Sequence, residues 1–306
     1  MITLKQLRYF DAVARFGHFG HAAEHCRVTQ PALSMQILEL EKSLGVGLIE
    51  RRHRQLILTD AGREIDKRAQ AILSQVRDLG DYARTLGKAL TGTLRLGVIP
   101  SLAPYTLPPL LPLIQASYPD LDLRIRETQT DTLVNELLEG AIDLLLLALP
   151  IEHRDIETAA LFDDRFRLAV PPGRHIEEPV VTTPGLLASD RLLLLEEGHC
   201  LRDQALSFCQ LRQVDHIDTF GASSLSTIVQ MVAAGLGMTL LPESCIDLEV
   251  RDDAVKLLRF SEPEPHRTVG LAWRRSSPRK EEFAEFGKLV VKALPHLCPP
   301  EEPVAA

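Results

Sequence analysis

The chain has 306 residues, 45% apolar and 25% charged, the balance of a globular protein large enough for two or three cores, which excludes a disordered or fibrous chain. Its net charge of -8 is unevenly placed: residues 1–90 carry 14 Lys+Arg against 10 Asp+Glu, leaving 20 against 32 for the rest, so a basic head precedes an acidic body. The greasiest run, Leu144 to Leu149, is far below the roughly 18 residues of a membrane span, and the opening MITLKQLRYF carries charge and no long apolar stretch, so a cytoplasmic protein without membrane attachment is expected.

Leu4, Leu7, Phe10 and Val13 recur at helical spacing, Gly17 to Gly20 breaks the chain, and an Ala-rich second helix is expected over Ala22 to Cys26. Thr29 is positioned to cap a third helix, with Pro31 in its first turn, a buried stripe of Ala32, Leu33, Ile37, Leu40 and Leu44, and Gly45 as its stop. Gln30, Ser34, Met35 and Gln36 lie near its N-terminal end, the end that a recognition helix presents to the major groove. LIERRHRQLILT then alternates like a hairpin whose tip carries Arg51, Arg52, His53 and Arg54, cations suited to phosphates or a narrow minor groove.

These segments, LRYFDAVARFGHFGHAAEHCRVTQPALSMQILELEKSLGVGLIERR and the following LTDAGREI, resemble the LysR-type regulators. The resemblance implies that Gln30, Pro31, Ser34 and Gln36 lie at the DNA-facing end of the recognition helix; a winged helix-turn-helix is expected over residues 1–58, with Thr29 on its DNA face and Arg51, Arg52 and Arg54 on the wing. Double-stranded promoter DNA is the expected partner, with RNA polymerase beyond it.

A linker helix is expected over 59–90, capped by Thr59, with apolar residues Ile65, Ala69, Ile72, Val76, Leu79, Ala83, Leu86 and Leu90 at alternating intervals of four and three. Such a seam is buried most simply against a second copy, so a homodimer on an approximately palindromic site is expected. LysR-type relatives imply a homotetramer.

Over 91–298, β-like LRLGVI, LDLRIRE, DLLLLAL, FRLAV, RLLLLE, GMTLLP and HRTVGLAW interleave with helical DTLVNELLEG, LRDQALSFCQL and STIVQMVAAG. The alternation predicts an α/β domain with a mostly parallel sheet in two lobes and a ligand cleft. The family resemblance implies a periplasmic-binding-protein-like regulatory domain. Residues 299–306 read as a disordered tail.

Five cysteines without a CxxC pair fit neither a secreted disulfide framework nor a zinc module. Cys200 follows Gly198 and His199 at the expected start of a helix and precedes Arg202, an arrangement that favours a thiolate. Cys209 is nine positions on, about 180° around and about 13.5 Å along a continuous helix, whereas a disulfide needs Cα atoms within about 7 Å. Joining the two would require the segment to remodel. Buried filler is the other reading of such cysteines.

GHCLRDQALSFC resembles the redox segment of the peroxide-sensing members of the LysR family, and GVIPSLAPYTLP, TQT at 128 to 130, MVAAGLGMTLLP and PHRTVGLAWR resemble the segments around it. That resemblance implies that Cys200 is the peroxidatic and Cys209 the resolving cysteine, reset by a glutaredoxin- or thioredoxin-type reductant, with Ser101, Thr130, His199 and Arg267 around hydrogen peroxide. Ser101 stands where such relatives commonly carry threonine.

The function expected is a peroxide-sensing, DNA-binding transcription regulator that is not an enzyme. The alternatives are a LysR-type regulator of a small metabolite and, third, a thiol peroxidase. His21 and His25 share a helix face beside Cys26 but read as core or solvated residues, so no metal is expected; without a GxGxxG, Walker or GxSxG motif, neither is a cofactor. Cys26 and Cys245 read as filler and Cys298 as part of the tail.

Overall fold

The computed structural model describes residues 1–52, 55–85, 90–174, 191–208, 222–251 and 253–297. The chain divides into two compact units, Met1–Leu86 with Leu138–Ala141, and Gly87–Leu137 with Ile142–Ala306. Among the described residues no helix is long and apolar enough to cross a membrane.

The first unit opens with α1 (Leu4–Phe16), α2 (Phe19–Cys26) and α3 (Gln30–Leu44). Thr3 and Gln6 cap α1 reciprocally: the Gln6 N–H donates to the Thr3 hydroxyl at 3.2 Å and the Thr3 N–H donates to Gln6 Oε1 at 3.0 Å. Leu7, Phe10 and Val13 enter the core with Ala22, Ala23, Leu33, Ile37 and Leu40, whereas Leu4 remains exposed at the helix start. Two further expectations are corrected. Ala32 is exposed, because the face buried by α3 runs through Leu33, Ile37 and Leu40. Thr29 occupies the N-cap position with extended backbone, but its side chain makes no capping hydrogen bond.

A hairpin of β1 (Ile49–Arg52) and β2 (Gln55–Leu58) follows, with Ile49 opposite Leu58. The Glu41 carboxylate on α3 accepts from the backbone N–H groups of Leu48 and Ile49 at 2.7 and 3.2 Å, fixing where the hairpin leaves the helix. The next helix, α4 (Asp60–Thr85), is capped by Thr59, whose hydroxyl accepts from the Gly62 N–H at 2.9 Å and donates to the Gly47 carbonyl at 2.8 Å. A Cβ on Gly62 would lie 2.1 Å from the Leu48 carbonyl oxygen, so only glycine permits this approach of α4 to the strand.

The expected seam divides along α4. Ala69 is buried in the core of the first unit with Leu73, and Ile65 packs against it. Ile72, Val76 and Leu79 are exposed, Leu79 by 69%, as is Ala83. Leu86 lies outside the described residues, and Leu90 is not on the helix: its backbone is left-handed at φ 52° and its side chain is fully buried.

The second unit carries β3 (Gly92–Val98), α5 (Ala103–Ser117), β4 (Leu121–Glu127), α6 (Thr130–Leu138), β5 (Leu144–Leu149), β6 (Ile156–Val170), α7 (Cys200–Phe208), α8 (Leu225–Ala233), β7 (Thr239–Pro242), α9 (Glu243–Glu249), β8 (Lys256–Leu258), β9 (His266–Arg274) and α10 (Lys280–Ala293). The strand order is β4-β3-β5-β9-β6-β7, with β8 also on β6. The sheet is mixed rather than mostly parallel. Among the described strands, β3 alone pairs in parallel, with β4 and β5; β9 runs antiparallel to β5 and β6, and β6 antiparallel to β7 and β8. The reason is that strands from late in the chain return against earlier ones: β9 lies between β5 and β6, and β7 and β8 pair with β6.

Continuous leucines in β5 reflect cover on both faces: Leu144 to Leu147 are all fully buried. The 15-residue β6 pairs with β9 through Ile156–Arg165 and with β7 through Phe166–Ala169, so one strand carries the chain from the first half of the sheet into the second. RLLLLE forms no strand, only isolated bridges from Leu192 to Met238 and from Leu195 to Ala222, but Leu192–Leu195 are buried in a core with Leu201, Ala205, Val229 and Leu240. That packing fixes the turn from which α7 starts.

Candidate functional site

Parallel strands β3 and β4 end side by side, and the chain beyond each end supplies a hydroxyl. Ser101 lies three residues past β3, and Thr130 opens α6 just past β4. Carboxyl ends of parallel strands are where α/β folds gather ligands. Gly198, His199 and Cys200 at the start of α7 close the same hollow, whose lining is Ile99, Pro100, Ser101, Gln129, Thr130, Gly198, His199 and Cys200. The space between these side chains, about 170 Å³ with its open mouth, is too narrow to seat a water-sized sphere. Gly198 has φ 92°, a backbone that β-carbon-bearing residues rarely adopt.

Arg267 reaches this hollow through a buried network. It is the register partner of Asp164 across the antiparallel pair β6 and β9, and neither side chain is exposed at all. Arg267 Nε and Nη2 donate to Asp164 Oδ2 at 3.0 and 2.8 Å. Nη1 donates to the Ser101 hydroxyl at 2.8 Å and Nη2 to the Ser101 carbonyl at 3.1 Å. Asp164 is held in turn by Ser244, whose N–H and hydroxyl donate to it at 2.9 and 2.7 Å. A buried carboxylate beside a buried guanidinium leaves little net charge, so Arg267 acts here as an oriented donor more than as a bare cation.

The thiol of Cys200 sits under opposing influences. Burial pushes it above its ordinary value, while Arg267, the Thr130 side chain and the Leu201 N–H favour the thiolate. The Thr130 hydroxyl is buried, and its polar neighbour is the Cys200 sulfur, whose thiolate it favours. Arg202, the cation expected to assist Cys200 from sequence proximity, is engaged elsewhere: Nη1 donates to the Leu195 carbonyl at 3.3 Å and Nη2 lies 4.0 Å from Glu197. The cation that acts on Cys200 is Arg267, distant in sequence. His199 is buried, with Nε2 3.9 Å from a Glu196 carboxylate oxygen. Cys209 lies outside the described residues, as does Cys298.

On the first unit, Thr29, Gln30, Pro31 and Met35 are exposed and Ser34 and Gln36 half-buried, all at or just before the N-terminal half of α3. Gln36 Nε2 donates to Glu39 at 2.9 Å. Arg51 and Arg52 lie on β1, while His53 and Arg54 fall outside the described residues. Near α2, the His21 ring packs on His18 and the His25 ring on Phe16. No group of three metal-ligating side chains occurs among the described residues. Burial raises the Cys26 thiol, and Cys245 is fully buried with its sulfur donating to the Pro242 carbonyl at 3.0 Å.

Two site residues escaped sequence reasoning: Asp164 and Ser244. For Asp164 a signal existed. Phe162, Asp164 and Phe166 alternate onto one face of β6, and an acid between two buried aromatics requires a buried partner.

Comparison with known proteins places these features in a family. A model described as a bacterial regulatory helix-turn-helix protein of the lysR family matches residues 4–63, and one described as the LysR substrate binding domain matches residues 87–295. The chain is 42% identical over 294 residues to a probable hydrogen peroxide-inducible genes activator of Streptomyces viridosporus, covering 95% of this chain and 94% of the relative. It is 37% identical over 289 residues to the DNA-binding transcriptional dual regulator OxyR of Escherichia coli (strain K12), covering 94% and 95%. Among solved structures, full-length OxyR from Pseudomonas aeruginosa, carrying one substitution, matches with TM-score 0.78 and 36% identity over 95% of this chain and 98% of that one. A hydrogen peroxide-bound OxyR mutant of Corynebacterium glutamicum matches with TM-score 0.65 and 37% identity, over 97% and 95%. The chain therefore belongs to the LysR family of bacterial helix-turn-helix regulators and is similar along nearly its whole length to that family's OxyR members.

Proposed function

We propose that this protein is a cytoplasmic, hydrogen peroxide-sensing transcription regulator switched by a reversible Cys200–Cys209 disulfide. One observation carries the reading: the hollow beside Cys200 is lined by Ser101, Thr130 and His199, with Arg267 fixed against Ser101 by Asp164. Such a hollow is small and rich in donors, which suits a two-oxygen ligand better than a metabolite. Relatives named as hydrogen peroxide-inducible activators, and one solved with peroxide bound, support the same ligand.

The chemistry follows from these groups. The Cys200 thiolate attacks one peroxide oxygen; an S–O bond forms, the O–O bond breaks, and the departing hydroxide takes a proton to leave as water. Thr130, Ser101 and Arg267 supply hydrogen bonds to the oxygens as charge moves onto the leaving one, the type of stabilisation that oriented donors give in a buried site. The sulfenic acid then loses a second water to the Cys209 thiol as the S–S bond forms, and a dithiol reductant of the glutaredoxin or thioredoxin type takes the oxidation away. A continuous helix through both cysteines would hold them too far apart to bond, so on that spacing the switch is a remodelling of the segment between them. Local order is thus exchanged for a covalent bond, and the change reaches DNA through the assembly.

In this reading residues 1–58 are a winged helix-turn-helix that grips promoter DNA through Thr29, Gln30, Pro31, Ser34, Gln36, Arg51, Arg52 and Arg54. Residues 59–90 link it to a two-lobed, periplasmic-binding-protein-like regulatory domain over 91–298. The exposed Ile72, Val76, Leu79 and Ala83 pair with a second copy, two dimers form a tetramer, and RNA polymerase is the final partner. The test is a footprint of the DNA complex before and after a slight excess of hydrogen peroxide, on the parent chain and on Cys200→Ser. A footprint that changes in the parent and not in the variant is expected. A peroxide response that survives Cys200→Ser, or a response to a metabolite alone, would overturn the proposal.

A further inference from the structure

One lining residue of the hollow is used by neither the thiol nor the donor set. Gln129 stands in the turn between β4 and α6, one position before Thr130, and is half-buried. Its amide lies against Gly198: a Cβ built there would fall 2.5 Å from Oε1, 2.8 Å from Cδ and 2.9 Å from Nε2. Its Nε2 donates to the Glu197 carbonyl at 3.4 Å. One side chain therefore spans from the wall that holds Thr130 to the turn that delivers His199 and Cys200. Ile99, Ser101 and His199, which line the same hollow, are buried, whereas Gly198 is exposed, so the Gln129–Gly198 contact lies on the solvent side of the site.

We propose that Gln129 is a specificity-determining residue: seated on Gly198 and tied to Glu197, it narrows the approach to Cys200 so that hydrogen peroxide enters and alkyl hydroperoxides are turned away. The inference rests on reading Cys200 as the peroxide-reactive cysteine. At the sulfur, both oxidants do the same thing. The thiolate takes one oxygen, the O–O bond breaks, the sulfur is oxidised by two electrons to the sulfenic acid, and the remaining oxygen leaves with a proton as water or as the alcohol. Discrimination must then come from the room left for the alkyl group. The hollow excludes even a water-sized sphere, so any entrant must displace part of the lining. Gln129 is held by one long hydrogen bond, in contrast to Ser101, which is fixed by two shorter ones from buried Arg267. A slight swing of the amide admits two oxygens, whereas a branched alkyl group needs the whole volume that the side chain fills.

The experiment uses the reduced full chain and its Gln129→Ala variant, exposed separately to hydrogen peroxide and to tert-butyl hydroperoxide. Loss of the free Cys200 thiol is followed by rapid alkylation and peptide mass spectrometry. For the variant, the hydrogen peroxide rate is expected to stay within about threefold of the parent's while the tert-butyl hydroperoxide rate rises about tenfold or more, the discrimination that a few carbon atoms of pocket space confer. An unchanged ratio of the two rates would overturn the gate and leave the peroxide reading intact. A collapse of the hydrogen peroxide rate in the variant would also overturn it, and would assign Gln129 to peroxide binding instead. If neither oxidant touches Cys200 in the parent chain, the peroxide reading falls and the gate falls with it.

Discussion

The two units satisfy their polar groups over very different distances along the chain. In the first, the ties are local: Gln6 to Thr3, Glu41 to Leu48 and Ile49, Thr59 to Gly62. Each of these lies within a dozen residues and serves to start a helix or a strand. In the second, the ties that matter for the site cross the sheet. Arg267 is bound to Asp164 and Ser101, more than a hundred residues away, and Asp164 to Ser244, 80 residues away. A head built from local caps can be assembled early and copied as a module. A site whose charge depends on strand register exists only when the whole second unit is folded.

The largest expected effect separates these two kinds of bond. Asp164→Ala strands the Arg267 guanidinium in a site with no access to water, and removing one partner of such a pair costs about 3–5 kcal/mol. Chemical denaturation should show that loss confined to the transition of the second unit, with DNA affinity at low salt largely kept. An equal loss in both units would mean that they fold as one cooperative body, and the comparison would fail.

A smaller effect is expected from the tightest local contact. Gly62→Ala places a methyl group 2.1 Å from the Leu48 carbonyl oxygen, so α4 must move off the strand. Overpacking costs more here than alanine's helix preference returns, and a net loss on the order of 1–2 kcal/mol is expected in thermal melts of the first unit. Unchanged melting would show that the start of α4 is looser than its geometry implies.

The smallest effect tests a local charge. Burial, with Asp11 next, raises the Asp66 carboxyl to about 6. The folded state therefore binds this proton more tightly than the unfolded chain does. The stability it contributes is present below the unfolded value and is lost as pH rises through about 6. Asp66→Asn should accordingly raise stability at pH 7 by about 1 kcal/mol, after allowance for solvent screening, and the gain should shrink as pH falls below about 6 and vanish only below the unfolded carboxyl's value of 3.8. A gain that persists undiminished below pH 3.8 would trace to the amide's hydrogen bonding rather than to charge.

This division also explains what could be read in advance. The head's helices, their glycine stops and the Thr59 cap were legible because each signal lies within a few residues of what it controls. Cys200 stood out from its own neighbours as a possible thiolate, whereas its peroxidatic role and the places of Ser101, Thr130, His199 and Arg267 came through resemblance, segment by segment. What bound them together was not visible. Arg202 looked like the cation for Cys200 because it is two residues away, yet it turns to the Leu195 carbonyl, while Arg267 acts from 67 positions further on. The mixed sheet was missed for the same reason: alternation of strand and helix indicates parallel pairing, and the reversals come from strands late in the chain, β9 between β5 and β6 and β7 and β8 against β6. The seam on α4 was read as one stripe because periodicity cannot tell which turns the head itself covers, as it does at Ala69.

The central claim, that Cys200 is the reacting thiol of a two-cysteine switch, is tested most directly by exposing the reduced chain to a slight molar excess of hydrogen peroxide and mapping its cysteine peptides by mass spectrometry. The account predicts a single rapid product joining Cys200 to Cys209, reversed by a dithiol, with Cys26 and Cys245 still free. Cys200 that stays reduced, or a bond from Cys200 to any cysteine other than Cys209, would contradict it.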